Sequence, residues 1–333
     1  MMNHTTGMNA VAAQPLSAAR WIKEIGRGKD GARNMTRVDA TTLYAAMLAG
    51  RVSQLELGAI LLSMRIKGES VDEVAGFLAA AADFLLDLSA PVESEFAPVV
   101  IPSYNGARKK ANLTPLLALL LAQAGVPVLV HGVADDPGRV TSAEIFAALG
   151  ITAAQSAEHV SLQMAAQQPV FMTIQTLSPA LANQLSMRRI LGVRNSAHTL
   201  VKLLQPFTTP VLRLNSYTHP EYLNMLSEYL LHAAPADAGE VFLMRGTEGE
   251  AVASTGRAQR IDWIHQGQRE VLLETEELLS GPAAAVPAAI DAASTAAWIS
   301  EVLCGQQPVP TNIARQVALC IDVARRIKQG QGG

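Results

Sequence analysis

Three consecutive cations, Arg108, Lys109 and Lys110, stand just ahead of Asn112, Thr114 and Pro115, where the apolar run LLALLLAQAG begins. Cations and small polar residues at the start of a helix are groups that hold phosphate: the side chains supply charge, and the helix end supplies free N–H groups and the positive pole of its dipole. Further cations recur in two places. Arg27, Lys29, Arg33 and Arg37 lie in IGRGKDGARNMTR, preceded by Arg20 and Lys23, and the second group is Arg188, Arg189, Arg194 and Lys202. The 333-residue chain carries a formal charge of −3, so affinity for polyanions must come from local clusters. No residues are assigned as catalytic or as metal ligands. His131 ends an apolar strand and reads as a packed core residue, and His198, His219 and His265 share no ligand spacing. Tyr104, Trp21 and Trp263 are separated and form no stacking platform.

The elements that must position these groups follow from periodicity and capping. Hydrophobic residues make up 49% of the chain and aromatics 5%, so the core is built from Ala, Leu and Val. Leu16 to Ile25 reads as a short amphipathic helix, and DATTLYAAMLAG as a second. SQLELGAILLSMRIKG runs from Ser53 as N-cap to Gly68 as C-cap. SVDEVAGFLAAAADFLLDL opens on the capping box of Ser70 and Glu73 and is expected to reach about Leu88. After a Pro- and Ser-rich stretch the pattern becomes β-α-β-α-β. VVIP is a strand, Thr114 and Pro115 are N-cap and first residue of an apolar helix, VPVLVHG is a strand buried on both faces, SAEIFAALGI a helix and PVFMTI a strand. VLRLNSYT and EVFLMRG are strands around the helix PEYLNMLSEYLLHA, and two helices follow Ala292.

We therefore expect an α/β protein: a small N-terminal helical domain followed by a larger α/β domain with a mainly parallel sheet. Residues 1–15 read as a disordered tail and 16–93 as the helical domain, which residues 177–200 rejoin. Residues 97–176 and 201–330 make the α/β domain. No apolar run approaches the about 20 residues needed to cross a bilayer. Cys304 and Cys320, the only cysteines, read as buried free thiols, so a cytoplasmic protein with no membrane partner is expected.

GRVSQLELGAILLSMRIKGESVDEVAGF, AGVPVLVHG, SAEIFAALGI, LGVRNSAHTLVKLLQPFTTP and FLMRGTEGEAVAS occur in an order that resembles the anthranilate phosphoribosyltransferase family, of the phosphoribosyltransferase/nucleoside phosphorylase type of fold. The resemblance implies phosphoribosyl pyrophosphate held between the two domains. The chemistry departs from it. Where the family has a loop of the type G-T-G-G-D-G, this chain has Pro102, Ser103, Tyr104, Asn105, Gly106 and Ala107, followed by Arg108, Lys109 and Lys110. Asn112 and Thr114 match the family's polar residues beside the phosphates. Ala251 and Val252 stand where the family's adjacent Asp and Glu hold magnesium, and Glu248 and Glu250 are nearby acids out of register. No cofactor, magnesium included, is expected. Val133 and Ala134 replace an Asn and an Arg. Arg194 matches the arginine the family uses for the anthranilate carboxylate, while Asn195, His198 and Lys202 differ.

IGRGKDGARNMTR and LGVRNSAHTLVK look most like a divergent, YbiB-like branch of that family, described as homodimers that bind DNA and RNA. The resemblance implies sequence-non-specific nucleic-acid binding by a homodimer joined through its helical domains. Single-stranded DNA or RNA is the expected ligand, with double-stranded DNA as a further candidate. Arg27, Lys29, Arg33, Arg108, Lys109, Lys110, Asn112, Thr114, Arg188, Arg189, Arg194 and Lys202 are the expected phosphate contacts. The alternatives are a glycosyl or phosphoribosyl transferase or phosphorylase-like enzyme with an altered substrate, and a silent paralogue acting by protein association.

Overall fold

The computed structural model describes residues 14–28, 30–276, 286–287 and 289–330. Most of the expected tail, residues 1–13, and Lys29 lie outside the described residues. The N-terminal unit consists of α1 (Ala19–Ile25), α2 (Arg37–Leu48), α3 (Gln54–Lys67) and α4 (Val71–Ala82). Ser53 with Glu56 and Ser70 with Glu73 form reciprocal capping boxes that start α3 and α4. Tyr44 stacks on Phe77 with ring centroids 4.6 Å apart, joining α2 to α4.

The α/β unit contains β1 (Val99–Ser103), α5 (Thr114–Gln123), β2 (Val128–Gly132), α6 (Ser142–Ala148), α7 (Ala157–Ala165) and β3 (Val170–Thr173). Four short helices follow: α8 (Ile174–Leu177), α9 (Pro179–Ser186), α10 (Arg188–Leu191) and α11 (Ala197–Leu200). Then come β4 (Leu212–Tyr217), α12 (Pro220–Glu228), β5 (Glu240–Arg245), β6 (Ile261–His265), β7 (Gln268–Leu273), α13 (Ala292–Leu303) and α14 (Thr311–Gly330). The sheet order is β3-β2-β1-β4-β5-β6-β7; the first five strands are parallel and β6 and β7 add an antiparallel edge. The strands alternate between two cores. Val100, Leu129 and Val241 pack with the helical unit and with Leu177, Leu181 and Leu200 from α8, α9 and α11. Val99, Ile101 and Val130 pack with α5, α13 and α14. Residues 177–200 also tie to the helical unit by hydrogen bonds: Leu86 N–H donates to Leu177 O, and Ser196 Oγ to Glu69 Oε1.

Four sequence expectations require correction. The helix of residues 71–88 stops at Ala82, and Leu88 instead makes a parallel bridge to Phe207. Its N–H and carbonyl are spent on Pro206 and Thr208, which removes them from any helical ladder. Thr114 is the first residue of α5, not its cap; Leu113 occupies the cap position, and Asn112 Oδ1 accepts the Thr114 N–H at 3.1 Å. The β6–β7 hairpin was not anticipated, although IDWIH and QREVLL flank a Gln266–Gly267 turn in which both residues have positive φ. Both cysteines are free, but Cys304 is exposed because it lies just beyond the last turn of α13.

The helical unit is fastened at one buried carboxylate. Glu73 accepts the N–H groups of Met35 and Ser70 at 2.9 and 2.8 Å and the Lys67 ammonium at 2.6 Å, and Lys67 also reaches Asn34 Oδ1 and Gly68 O. Both side chains are almost wholly excluded from solvent, at 5% and 0% exposure. Breaking a buried pair from one side leaves an uncompensated charge. Lys67→Met is expected to cost about 3–5 kcal/mol of stability, read by urea denaturation followed by circular dichroism.

Candidate functional site

The loop between β1 and α5 lies at the carboxyl edge of the sheet, where parallel α/β folds place their ligands. Its path is set by close backbone approaches. Gly132 passes Ser103 so tightly that a Cβ would stand 1.9 Å from the Ser103 carbonyl oxygen. Gly106 has φ +63°, and Ala107 next to it exchanges both backbone hydrogen bonds with Val140 at 2.9 and 2.8 Å. Ser103 and Asn112 both hydrogen-bond the buried Ser142 hydroxyl. Tyr104 Oη meets His131 Nδ1 at 2.7 Å, and burial lowers the His131 pKa to about 3, so its ring is neutral at physiological pH.

The backbone donors of this loop are satisfied from within the chain. The connection from β5 to β6 turns at Glu248 (φ +53°) and Gly249 (φ +92°), and Thr247 and Glu250 exchange backbone hydrogen bonds. The turn aims two carboxylates at the loop after β1. Glu250, 1% exposed, accepts the N–H groups of Asn105 and Gly106, each at 2.8 Å, and lies 3.4 Å from the Thr114 hydroxyl. Glu248 accepts the N–H groups of Arg108 and Lys109 at 2.6 and 2.9 Å. The expected opening for an external polyanion at the start of α5 is therefore corrected: Thr114 and Asn112 are buried, and their polar atoms are engaged within the fold. Sequence reading noticed both glutamates only as stray acids. Their signal was the spacing Glu-Gly-Glu within a Gly-rich turn.

Cations surround the buried carboxylate. Lys202 is half-buried and donates from Nζ to the Gly249 carbonyl at 3.3 Å, which the Ser216 hydroxyl also reaches, at 2.9 Å. Desolvation lowers the Lys202 pKa to about 8; Glu250 opposes that shift, while Arg194 and Arg139 add to it. Arg194 donates to Asn105 Oδ1 at 3.2 Å, and its pKa is lowered by burial, then by Arg188 and Arg139. Arg139, which sequence reading missed, donates to Gly106 O at 3.3 Å. His198 is lowered to about 4 by burial and by Arg194, so it too is neutral. Lys202, Arg194 and His198 border a cavity of about 530 Å³ between α3, α11, β4 and α12, into which the buried Asn215 amide brings neither a donated nor an accepted hydrogen bond.

The remaining expected contacts fall elsewhere. Arg108, Lys109 and Lys110 are exposed, and none is ion-paired among the described residues. Arg188 pairs with Asp136 at 3.7 Å and Arg189 with Asp135 at 3.5 Å. Arg27 and Arg33 share Glu24 at 2.6 and 3.5 Å on the helical unit. Exposed pairs of this kind contribute little to stability and part easily. The residues present do not suit magnesium. Ala251 and Val252 are buried and apolar, the Glu250 carboxylate is spent on amide donors, and no cluster of three or more His, Cys, Asp or Glu occurs among the described residues.

A helical bundle beside a mainly parallel sheet, with basic groups at the carboxyl edge, defines a two-domain transferase scaffold. The chain belongs to the glycosyl transferase family: residues 20–85 match its helical bundle domain and residues 104–320 its α/β domain. It is 44% identical over 301 residues to the uncharacterized protein YbiB of Escherichia coli strain K12, a match covering 90% of this chain and 92% of that one. An anthranilate phosphoribosyltransferase of Rhodopseudomonas palustris strain BisA53 is 31% identical over 186 residues, 56% of this chain and 52% of the relative. The fold is that of the Thermus thermophilus anthranilate phosphoribosyltransferase, with a TM-score of 0.67 at 23% identity, covering 93% of this chain and 91% of that one. The Saccharomyces cerevisiae enzyme in complex with PRPP and Mg superposes with a TM-score of 0.65 at 16% identity, covering 94% and 88%.

The depressed Lys202 pKa makes a pH prediction. Between pH 8 and the ordinary lysine value the unfolded chain binds the additional proton, so stability contributed through this group rises with pH across that window, and the penalty is fully present below it. Discounted for partial solvent access, the effect is about 2 kcal/mol. In thermal melts, the unaltered protein should gain stability relative to Lys202→Met as the pH rises from 8 to 10.

Proposed function

We propose that this chain binds nucleic acid without sequence preference, as a homodimer and without a cofactor, using a transferase scaffold whose small-anion site is already taken. The observation that carries the reading is the contrast within one loop. The backbone donors of residues 105, 106, 108 and 109 are consumed by Glu250 and Glu248, while the side chains of Arg108, Lys109 and Lys110 stand exposed and unpaired among the described residues. Charge displayed on a surface suits a long polyanion, whose phosphates release counterions as each is neutralised. Arg188 and Arg189 extend the same reading once a phosphate replaces Asp136 or Asp135; Arg27 and Arg33 do so by leaving Glu24. Arg194 and Lys202 act from beneath, holding the loop through Asn105 and Gly249. A reducing cytoplasm is the setting proposed for the two free thiols. No helix among the described residues is long and apolar enough to cross a membrane.

A second copy of the chain is the partner proposed for α3. Leu55, Leu62 and Ile66 are 86, 46 and 57% exposed and share one face at spacings of seven and four residues, with Val38 of α2, 76% exposed, as a fourth large apolar side chain on the helical unit. The second functional reading, a transferase with a changed substrate, is favoured by one feature: the cavity beside Arg194, Lys202 and the unpartnered Asn215 amide.

Oligonucleotide binding measured by fluorescence anisotropy should weaken steeply with salt, with a log–log slope of about −0.7 for each phosphate contacted on a single strand. Lys109→Glu with Lys110→Glu should lower affinity by about tenfold or more, equally for oligo-dT and mixed sequences, and flatten that slope. Salt-insensitive binding, or thermal stabilisation by phosphoribosyl pyrophosphate with magnesium, would favour the transferase instead. Light scattering should give twice the chain mass for the unaltered protein and the single chain mass for Leu62→Asp with Ile66→Asp.

A further inference from the structure

The carboxylate of Glu250 has the surroundings of a bound phosphate. Two consecutive backbone N–H groups point at one oxygen, and the hydroxyl of the first residue of α5 faces the other. Lys202 and Arg194 stand just behind, neither of them ion-paired among the described residues, and Arg139 contributes charge to the same basin. Glu248 repeats the arrangement one step along the loop with the N–H groups of Arg108 and Lys109. Successive backbone N–H groups followed by a helix N-terminus form an anion-binding nest. Here two anions occupy it at adjacent steps, and both come from the turn after β5. Gly249 suits that turn twice over: its φ of +92° is one that residues with a side chain rarely adopt, and a Cβ there would stand 1.8 Å from Asn105 Nδ2 and displace that side chain.

We infer that Glu250 is the residue that decides what this loop refuses: with Glu248 it serves as a built-in surrogate ligand that closes the nest to free phosphate and pyrophosphate while leaving the loop's cationic side chains outside. The internal hydrogen bonds carry this independently of the nucleic-acid reading. Removal of the Glu250 carboxylate leaves two amides, a hydroxyl and two cations with no acceptor of opposite charge. A small phosphate anion is the ligand whose size and charge replace what was lost.

Isothermal titration of pyrophosphate into the full-length chain, without metal, tests this. The unaltered protein should show binding at least about tenfold weaker than Glu250→Ala, which empties the nest. Because Glu250→Ala leaves buried donors unpaired and is at risk of not folding, Glu250→Gln serves as its companion. Glutamine keeps the shape and one acceptor but not the charge, and this variant too should bind pyrophosphate more tightly than the unaltered chain. Adding Lys202→Met to either variant should abolish the gain, which places the new binding in the nest and not on the exposed Arg108, Lys109 and Lys110. Equal affinity in the unaltered chain and a folded variant would overturn the inference, as would a gain that survives loss of Lys202. Oligonucleotides play no part in the titration, so its failure would leave the nucleic-acid reading to be judged on its own measurement.

Discussion

A carboxylate taken out of water requires donors, and Glu250 finds them on the other side of a strand. The sheet order places β4 between β1 and β5, so the loops after β1 and β5 flank the end of β4 on one edge. Glu250 crosses that gap to the Asn105 and Gly106 amides, while Ser216 of β4 and Lys202 hold the turn by its Gly249 carbonyl. Each of these groups would be costly to bury alone, and together they satisfy one another. The position of the exposed cations depends on this closure, since the Arg108 and Lys109 amides are pinned to Glu248 in the same turn.

The same amides cannot serve two acceptors at once. A loop that gives its N–H groups to internal carboxylates keeps its shape but withholds the contacts by which a small diphosphate would be gripped. What it offers to solvent is side-chain charge. Ammonium and guanidinium groups on long stems contribute attraction without geometry, which suits repeated, loosely placed phosphates better than a single reacting group. Magnesium fits poorly for a related reason: the oxygens near the site already act as hydrogen-bond acceptors, and the neighbouring Ala251 and Val252 belong to the apolar core.

Much of the fold was legible because its signals are local. Ser53, Ser70 and Gly68 mark helix ends within a few residues of the groups they cap, and the unbroken apolar run VPVLVHG is what a strand buried on both faces requires. The resemblance to a transferase family located the loop after β1, and the structure places Arg194, Lys202 and the loop in one neighbourhood. The decisive contact was illegible because Glu250 meets Asn105 across 145 positions of sequence, and nothing in Glu-Gly-Glu alone says where its carboxylates point. The sequence does not show which acids stand by Arg33, Arg188 and Arg189: Glu24, Asp136 and Asp135 reach them in space. Cys304 looked like a core residue by type and is placed outside by the end of α13.

Glycine carries the logic of the site in an altered form. In a phosphate-gripping loop, glycines let the backbone approach a ligand, and this chain has lost nearly all of them between Pro102 and Lys110. Two glycines hold the same office toward the protein itself. Gly106 adopts φ +63° where a Cβ would stand 2.7 Å from the Val140 carbonyl oxygen, and Gly249 adopts φ +92° against the Asn105 amide. Gly106 lets backbone close on backbone and Gly249 lets the turn close on the Asn105 side chain, so the space freed by missing side chains is filled by the chain's own turn. A return to ligand binding would therefore need more than restored glycines after β1. As long as Gly249 lets the turn close, Glu250 reaches the amides first, at an effective concentration that a dissolved anion has difficulty matching.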